Sequence, residues 1–423
     1  MQQPLESREV VPTRTQVGII GAGPAGLLLG RLLHLCGIDS VILEVRDREY
    51  VEQRLRAGLL EQTTIDVLTD AGMDGRLRRV GFEHRGVEVR FDGERRRIPV
   101  HELTGGRSTW LYPQQEVVRD LVADRLDVGD PLVFEAADVQ LSGLTDARPR
   151  ITYRVGDSVR VLDCDVIAGC DGFHGASRQA IPQDVLRTFA RNYPFAWLGI
   201  LADVPPSTDE LIYAHHPHGF AMHSLRSSSV SRFYLQVEPD EDLDQWTDAR
   251  LWDELQLRLG TDDGWTLAEG PIASRGLTPM RSFVTEPMQY GNLFLAGDAA
   301  HIVPPTAAKG LNLAVADVVL LADALDAWLT GGSRSLLDGY SAAALARIWQ
   351  VQEFSRAMTS LLHHTRSDPF DARLQRAQLR ALCESTDAMA DWSHRYTGLP
   401  RAWNGAGRSR RPAPSPVPSG ARS

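Results

Sequence analysis

The chain has 423 residues, a formal net charge of −10 and a pI near 5.7, with 43% hydrophobic and 24% charged residues. That length is divided among two or three lobes. The acidic balance excludes a general nucleic-acid binder, which carries a basic footprint, and no apolar run reaches the ~20 residues of a membrane span.

The first residues lack the basic-then-apolar order of a secretory signal. Four cysteines, Cys36, Cys164, Cys170 and Cys383, form no C-x-x-C pair, which fits a reduced cytoplasm. Lys309 is the only lysine among the 45 Lys and Arg residues.

Residues 1–14 read as a flexible leader. "QVGII" is a β-branched apolar run that stops at glycine, and "AGLLLGRLLHLC" has leucines at helical spacing. Gly37 ends that helix, and "SVILE" is a second buried strand. This is a βαβ unit with parallel strands. "HRGVEVRFDGERRRIPV" is a hairpin about Asp92-Gly93. "RITYRVGDSVRVLDCDVIAGCDG" gives strands around a tight turn, then another buried strand. The next stretch is strand-rich, with turns at Pro205-Pro206 and at the serine run after Arg226. "NLFLAGDAAH" is a further buried strand ending at Gly297-Asp298, and from Gly310 the pattern is helical.

The fold class is therefore α/β, with a Rossmann-like G-x-G-x-x-G domain, an inserted β-rich domain and C-terminal helices. The nucleotide-binding domain is expected over 15–183, with its hairpin at 84–101 joining the β-rich lobe. That lobe covers 184–285, and the chain returns to the first domain over 286–320. A helical region follows over 321–403, and the Pro/Gly/Ser/Arg-rich tail 404–423 reads as disordered.

Gly21-x-Gly23-x-x-Gly26 follows a strand and opens a helix. Gly21 permits the tight turn, Gly23 lets a pyrophosphate approach the backbone, and Gly26 lets the helix pack on the strand. The helix N-terminus supplies amides and positive dipole for phosphates. Glu44 ends the second strand, where a carboxylate binds a ribose diol. Gly297-Asp298, far along the chain, places a second carboxylate beside a polyol, which suits a long cofactor such as FAD. "IAGCDGFHGASR", with Asp171, Gly172 and Arg178, adds another Asp-Gly turn.

These three segments resemble the class A flavoprotein monooxygenases. "RAGLLEQ", "RSTWLYPQQEVVRDL", "YPFAWLGILAD", "ELIYAHHPHGFAMHSLRS", "GNLFLAGDAAHIVPPTAAKGLNLA" and "RYTGLP" follow in the order of the 4-hydroxybenzoate 3-monooxygenase family. The similarity runs from Gln16 to Pro400. It implies bound FAD, with NADPH or NADH as co-substrate. It also implies hydroxylation of 4-hydroxybenzoate by O₂ ortho to its phenol, through a flavin C4a-hydroperoxide, to give 3,4-dihydroxybenzoate. A cytoplasmic homodimer is the family expectation, with no metal, membrane or nucleic-acid partner.

Residue by residue, the resemblance puts Gly21, Gly23, Ala25, Gly26, Glu44, Arg54, Arg56, Ala57, Gly58, Leu59, Gln114, Asp298, Leu311 and Asn312 along FAD. Arg46, Tyr50, Arg56, His174 and Arg281 would meet NAD(P)H. By strand alternation Ser224 shares a face with Arg226, and Arg232 with Tyr234. An arginine there offers two parallel charge-assisted bonds to a carboxylate. The resemblance gives the substrate carboxylate to Ser224, Arg226 and Tyr234, and the phenol oxygen to Tyr213. Pro305 would present its carbonyl near that phenol. Tyr396 would bond Tyr213, and His84 would end this chain at solvent, giving the phenolic proton an exit.

The histidines at 215, 216, 218 and 223 read as loop residues rather than metal ligands, because no second ligand cluster has a defined spacing. Lys309 precedes Gly310-Leu311-Asn312, where an ammonium would favour the reduced, anionic flavin. Several positions depart from the family. Val45 stands where an arginine touches the nicotinamide cofactor. Ala25 replaces a serine. Ala307 replaces a glycine and would stiffen its turn or change its φ. His223 and Leu225 differ as well and face away from the carboxylate. A related benzoate (an amino-substituted 4-hydroxybenzoate or 4-aminobenzoate), an NAD(P)H oxidase and a non-catalytic aromatic-acid sensor remain alternatives.

Overall fold

The computed structural model describes residues 12–54, 58–364 and 369–398, and there two eight-stranded sheets and one three-stranded sheet organise the chain. The first sheet is built on strand Arg14–Ile20. Its run from Val17 to Ile20 is wholly buried, as a strand covered on both faces must be. It pairs in parallel with Ser40–Leu43 and with Ser158–Gly169, and Leu132–Val133 and Leu293–Leu295 extend the sheet on either side. Helix Pro24–Leu35 crosses between the first two strands. Pro24 sits in its first turn, where an N–H has no intrahelical partner to lose. Helix Lys309–Leu329 packs beside it over the same core.

The second sheet holds the long ribbon Arg187–Ala202 and Ile272–Glu286, then Ser231–Val237, Ala221–Leu225 and Leu211–Ala214. Leu211–Ala214 pairs in parallel with Val87–Phe91 of the early hairpin. Asp92 and Gly93 both take positive φ, 53° and 75°, as a two-residue hairpin turn demands.

One face of this sheet packs on helix Asp248–Leu259, through Leu251, Leu255 and Leu259 against Ile200, Ile212 and Phe233. The strand-rich reading missed that helix. Its signals were present, with leucines at helical spacing and Thr247 accepting the Arg250 N–H at 3.3 Å as an N-cap. The other face carries Trp197, Tyr213, Phe220 and Met222. They pack on Met358, Leu362, Trp392 and Tyr396 of helices Tyr340–Leu362 and Thr386–Tyr396. Each such side chain contributes ~1.5–3 kcal/mol on full burial, so this apolar layer fixes the last helices on the sheet. No helix among the described residues is long and apolar enough to cross a membrane.

Candidate active site

The glycine turn has the geometry a dinucleotide needs. Gly21 has φ +103°, and a Cβ there would lie 2.4 Å from the Cys170 carbonyl oxygen. A Cβ on Gly26 would lie 2.0 Å from the Gly21 oxygen, so both positions require glycine. At Gly23 a Cβ would meet nothing within 4 Å. The backbone therefore faces open space at the place where a pyrophosphate approaches the helix N-terminus. Ala25 is buried in the first turn of that helix. The Glu44 carboxylate accepts the Ala22 N–H at 2.7 Å and the Arg46 N–H at 2.8 Å. A carboxylate has about four acceptor positions, so capacity remains for a ribose diol.

Gly297, at φ +64°, turns the chain and leaves Asp298 exposed. Beneath the turn, Asp317 Oδ2 accepts the Gly297 N–H at 2.9 Å and lies 2.6 Å from His301 Nε2, with both side chains buried. Burial opposes the His301 charge, but Asp317 outweighs it and raises the pKa. Leu311 and Asn312 lie in the first turn of helix Lys309–Leu329. Asn312 Nδ2 donates to the carbonyls of Leu59 and Ala308, and its Oδ1 accepts from the Glu61 N–H and the Thr64 hydroxyl. That side chain is therefore engaged within the protein rather than open to a cofactor. The Gly21–Gly26 turn, Glu44 and Asp298 fit an extended dinucleotide such as FAD.

Leu59 is buried, Gly58 is flanked by Tyr112, and Gln114 begins helix Gln114–Asp127. Arg46 and Arg54 lie 5.0 and 5.8 Å over the Tyr50 ring. Arg281 lies 4.0 Å over Phe173, which His174 meets edge-on. Arg56 and Ala57 lie outside the described residues.

The sheet register aligns the predicted substrate residues. Tyr213 stands opposite Met222, Met222 opposite Tyr234, and Ser224 opposite Arg232. Opposed residues share a face. With neighbouring strands ~4.8 Å apart, Tyr213 and Tyr234 lie about 10 Å apart on one surface. Arg226 enters the hairpin turn, its N–H donating to the Val230 carbonyl at 2.9 Å. Its Nη2 donates to Gln115 Oε1 at 2.9 Å. Burial, then Arg232, lowers the Arg226 pKa to about 10, so the guanidinium stays charged at neutral pH. A partly desolvated cation favours an anion beside it. The Tyr234 ring packs 4.7 Å from Trp197. Trp197 Nε1 in turn donates to His363 Nε2 at 2.6 Å.

At the other end, the Tyr213 hydroxyl donates to the Thr306 carbonyl at 2.8 Å and lies 3.5 Å from the Tyr396 hydroxyl. Both tyrosines are buried. Burial raises the pKa of Tyr213. Burial, then Tyr213 itself, raises that of Tyr396. Both phenols therefore remain protonated donors. The carbonyl that meets Tyr213 belongs to Thr306. That of Pro305 accepts the Ala308 N–H at 2.9 Å. Ala308, rather than Ala307, takes the left-handed conformation, φ +52°.

Two expectations are corrected. His84 does not reach solvent. It is 1% exposed at the end of strand Phe82–His84, opposite Thr109, and neither ring nitrogen has a protein partner. Burial lowers its pKa to about 4. Lys309 is not an open positive charge. Its Nζ is buried and donates to Glu61 Oε1 at 2.6 Å, to the Arg395 carbonyl at 2.6 Å and to the Tyr396 carbonyl at 3.0 Å. All three donors of the ammonium are thus used. The lysine ties the end of the last helix to the early strand Leu59–Glu61.

The four histidines of the substrate hairpin separate. His215 lies near Gln375, His216 Nδ1 accepts the His218 N–H, and His218 faces Glu254. His223 is buried on the opposite face against Phe233. Among the described residues no group of three metal-ligating side chains gathers. Gln115, Thr306 and Glu61 were not singled out from the sequence. Each lies inside a segment that carries the family resemblance, but its role rests on a contact 93 to 248 residues away in the chain.

Comparison with known proteins adds to this geometry. A family model described as an FAD binding domain matches residues 14–355. The chain is 45% identical over 388 residues to the p-hydroxybenzoate hydroxylase of Acinetobacter baylyi, covering 92% of this chain and 96% of that one. It is 27% identical over 360 residues to a rifampicin monooxygenase of Rhodococcus hoagii, covering 82% of this chain and 71% of the relative. Among solved structures, p-nitrophenol 4-monooxygenase of Pseudomonas putida superposes with a TM-score of 0.80 at 19% identity. The match covers 92% of this chain and all of the other. At that identity the likeness speaks to the fold alone.

Proposed function

The chain belongs to the FAD-dependent aromatic hydroxylases of the p-hydroxybenzoate hydroxylase type, and from that premise we propose that its substrate is 4-hydroxybenzoate, hydroxylated ortho to the phenol. The overall reaction consumes NAD(P)H, a proton and O₂ and yields 3,4-dihydroxybenzoate, NAD(P)⁺ and water. The observation that carries this reading is one sheet face with Ser224, Arg226 and Tyr234 at one end and the Tyr213–Tyr396 pair at the other.

FAD, when bound along Gly21–Gly26, Glu44 and Asp298, supplies the redox chemistry that activates oxygen. The protein's own residues hold the substrate. Arg226 binds the carboxylate, with Ser224 and Tyr234 beside it. With substrate bound, the Tyr213 hydroxyl turns from the Thr306 carbonyl to the phenolate while Tyr396 donates to Tyr213, which lowers the phenol's pKa. The apolar layer around Trp197 excludes water. Arg46, Tyr50, His174 and Arg281 receive the reduced nicotinamide cofactor. The same reading carries a cytoplasmic homodimer.

The test uses the purified flavoprotein. 4-Hydroxybenzoate is expected to accelerate oxidation of NADPH or NADH and to appear stoichiometrically as 3,4-dihydroxybenzoate. Oxidation with peroxide as the sole product, or no stimulation at all, rules the proposal out.

A further inference from the structure

We propose that Gln115 is a positioning residue that sets this enzyme's preference for anionic over neutral aromatic substrates, acting through Arg226. The inference rests on the reading above, which makes Arg226 the partner of a carboxylate.

The contact itself is specific. A guanidinium has only donors, so the amide must turn Oε1 toward it, at 2.9 Å. Gln115 is 9% exposed and second in helix Gln114–Asp127. It therefore comes from the first, nucleotide-binding sheet region, whereas Arg226 comes from the substrate hairpin. The helix start is braced. Tyr112 donates to Asp120 Oδ2 at 2.5 Å, and Arg76 bridges Glu116 and Asp120. A long arginine side chain loses rotamer freedom when it binds, and a partner fixed beforehand removes part of that cost.

The amide is also the right chemistry. Gln115 Oε1 is a neutral acceptor for Arg226, while the neighbouring acid Glu116, which favours the Arg226 charge from a distance, makes its own ion pairs with Arg76 and Arg119. A neutral acceptor orients the guanidinium without cancelling its charge. A carboxylate in its place would pair with Arg226 and repel the substrate anion. Arg232, directly opposite Ser224, adds a second positive charge to the same face.

The test titrates 4-hydroxybenzoate and uncharged 4-hydroxybenzamide into FAD-loaded wild type, Gln115→Leu and Gln115→Glu, by calorimetry and by steady-state kinetics. Gln115→Leu is expected to weaken the acid about tenfold and the amide less than about twofold, with kcat at saturating acid changed by less than about threefold. Gln115→Glu, which preserves side-chain shape, is expected to weaken the acid about a hundredfold and to invert the preference between the two ligands. Equal losses for acid and amide would mean simple packing and overturn the inference. So would an acid affinity unchanged in Gln115→Leu. If wild type itself binds neither ligand, the assignment of substrate fails first, and this inference falls with it.

Discussion

The two ends of the candidate pocket are built on opposite principles. The Arg226 end is half-open and charged, with its polar group held by a hydrogen bond from another part of the chain. The Tyr213–Tyr396 end is fully buried, and its uncharged hydroxyls are placed by packing of helices on the sheet. Under the proposed function the difference separates two tasks: a half-buried guanidinium selects the ligand, and a dry pair of protonated phenols acts on a ligand already bound.

The comparison breaks most visibly at Arg226. Arg226→Met should weaken 4-hydroxybenzoate by ~10³-fold, the loss of two charge-assisted bonds. Turnover by whatever binds should fall far less. A purely kcat effect in steady-state kinetics would contradict the division of labour. At the buried end, Lys309→Met leaves Glu61 unpaired in the interior and should cost ~3 kcal/mol of stability in urea unfolding. The double variant Glu61→Gln, Lys309→Met should recover most of that loss. If the single and double variants are equally stable, the clamp is not a charge pair in any useful sense.

Tyr213→Phe should lower product formation by ~10²-fold while leaving the Kd of the acid within about threefold. Rapid-quench product analysis checks it, and a large change in Kd would merge the two ends into one. His84 sharpens the picture through pH. Its pKa is near 4 when folded and ordinary, 6.5, when unfolded, so the unfolded chain takes up the proton first as pH falls. Stability is complete above pH 6.5 and is lost progressively toward pH 4. His84→Asn should remove ~2 kcal/mol of that loss, read from urea midpoints at pH 7 and pH 4.5. The smallest effect is expected at Ala308, whose φ of +52° suits glycine. Ala308→Gly should raise stability by ~0.5 kcal/mol, relief of strain being partly offset by chain entropy.

Local signals carried the glycine turn, the Asp92-Gly93 hairpin and the alternation at Ser224, because each is a rule about residues close in sequence. Helix Asp248–Leu259 was legible too, from Thr247 and its leucines, but was submerged in a strand-rich neighbourhood. Other features could not be read locally. The burial of His84 depends on a short strand pairing with Thr109. The neutralisation of Lys309 depends on Glu61, 248 residues earlier. A residue's charge and exposure in the site are tertiary facts, and the chemistry expected of it changes with them.

The lysine clamp also has a temporal meaning. The glycine turn that receives the cofactor emerges from the ribosome well before the Tyr396 hydroxyl. A nascent chain can assemble both sheets before the second phenol exists. The Tyr213–Tyr396 pair forms only when helix Thr386–Tyr396 docks, through Lys309, on Glu61, so the phenol pair is a product of late tertiary packing and not of either sheet alone.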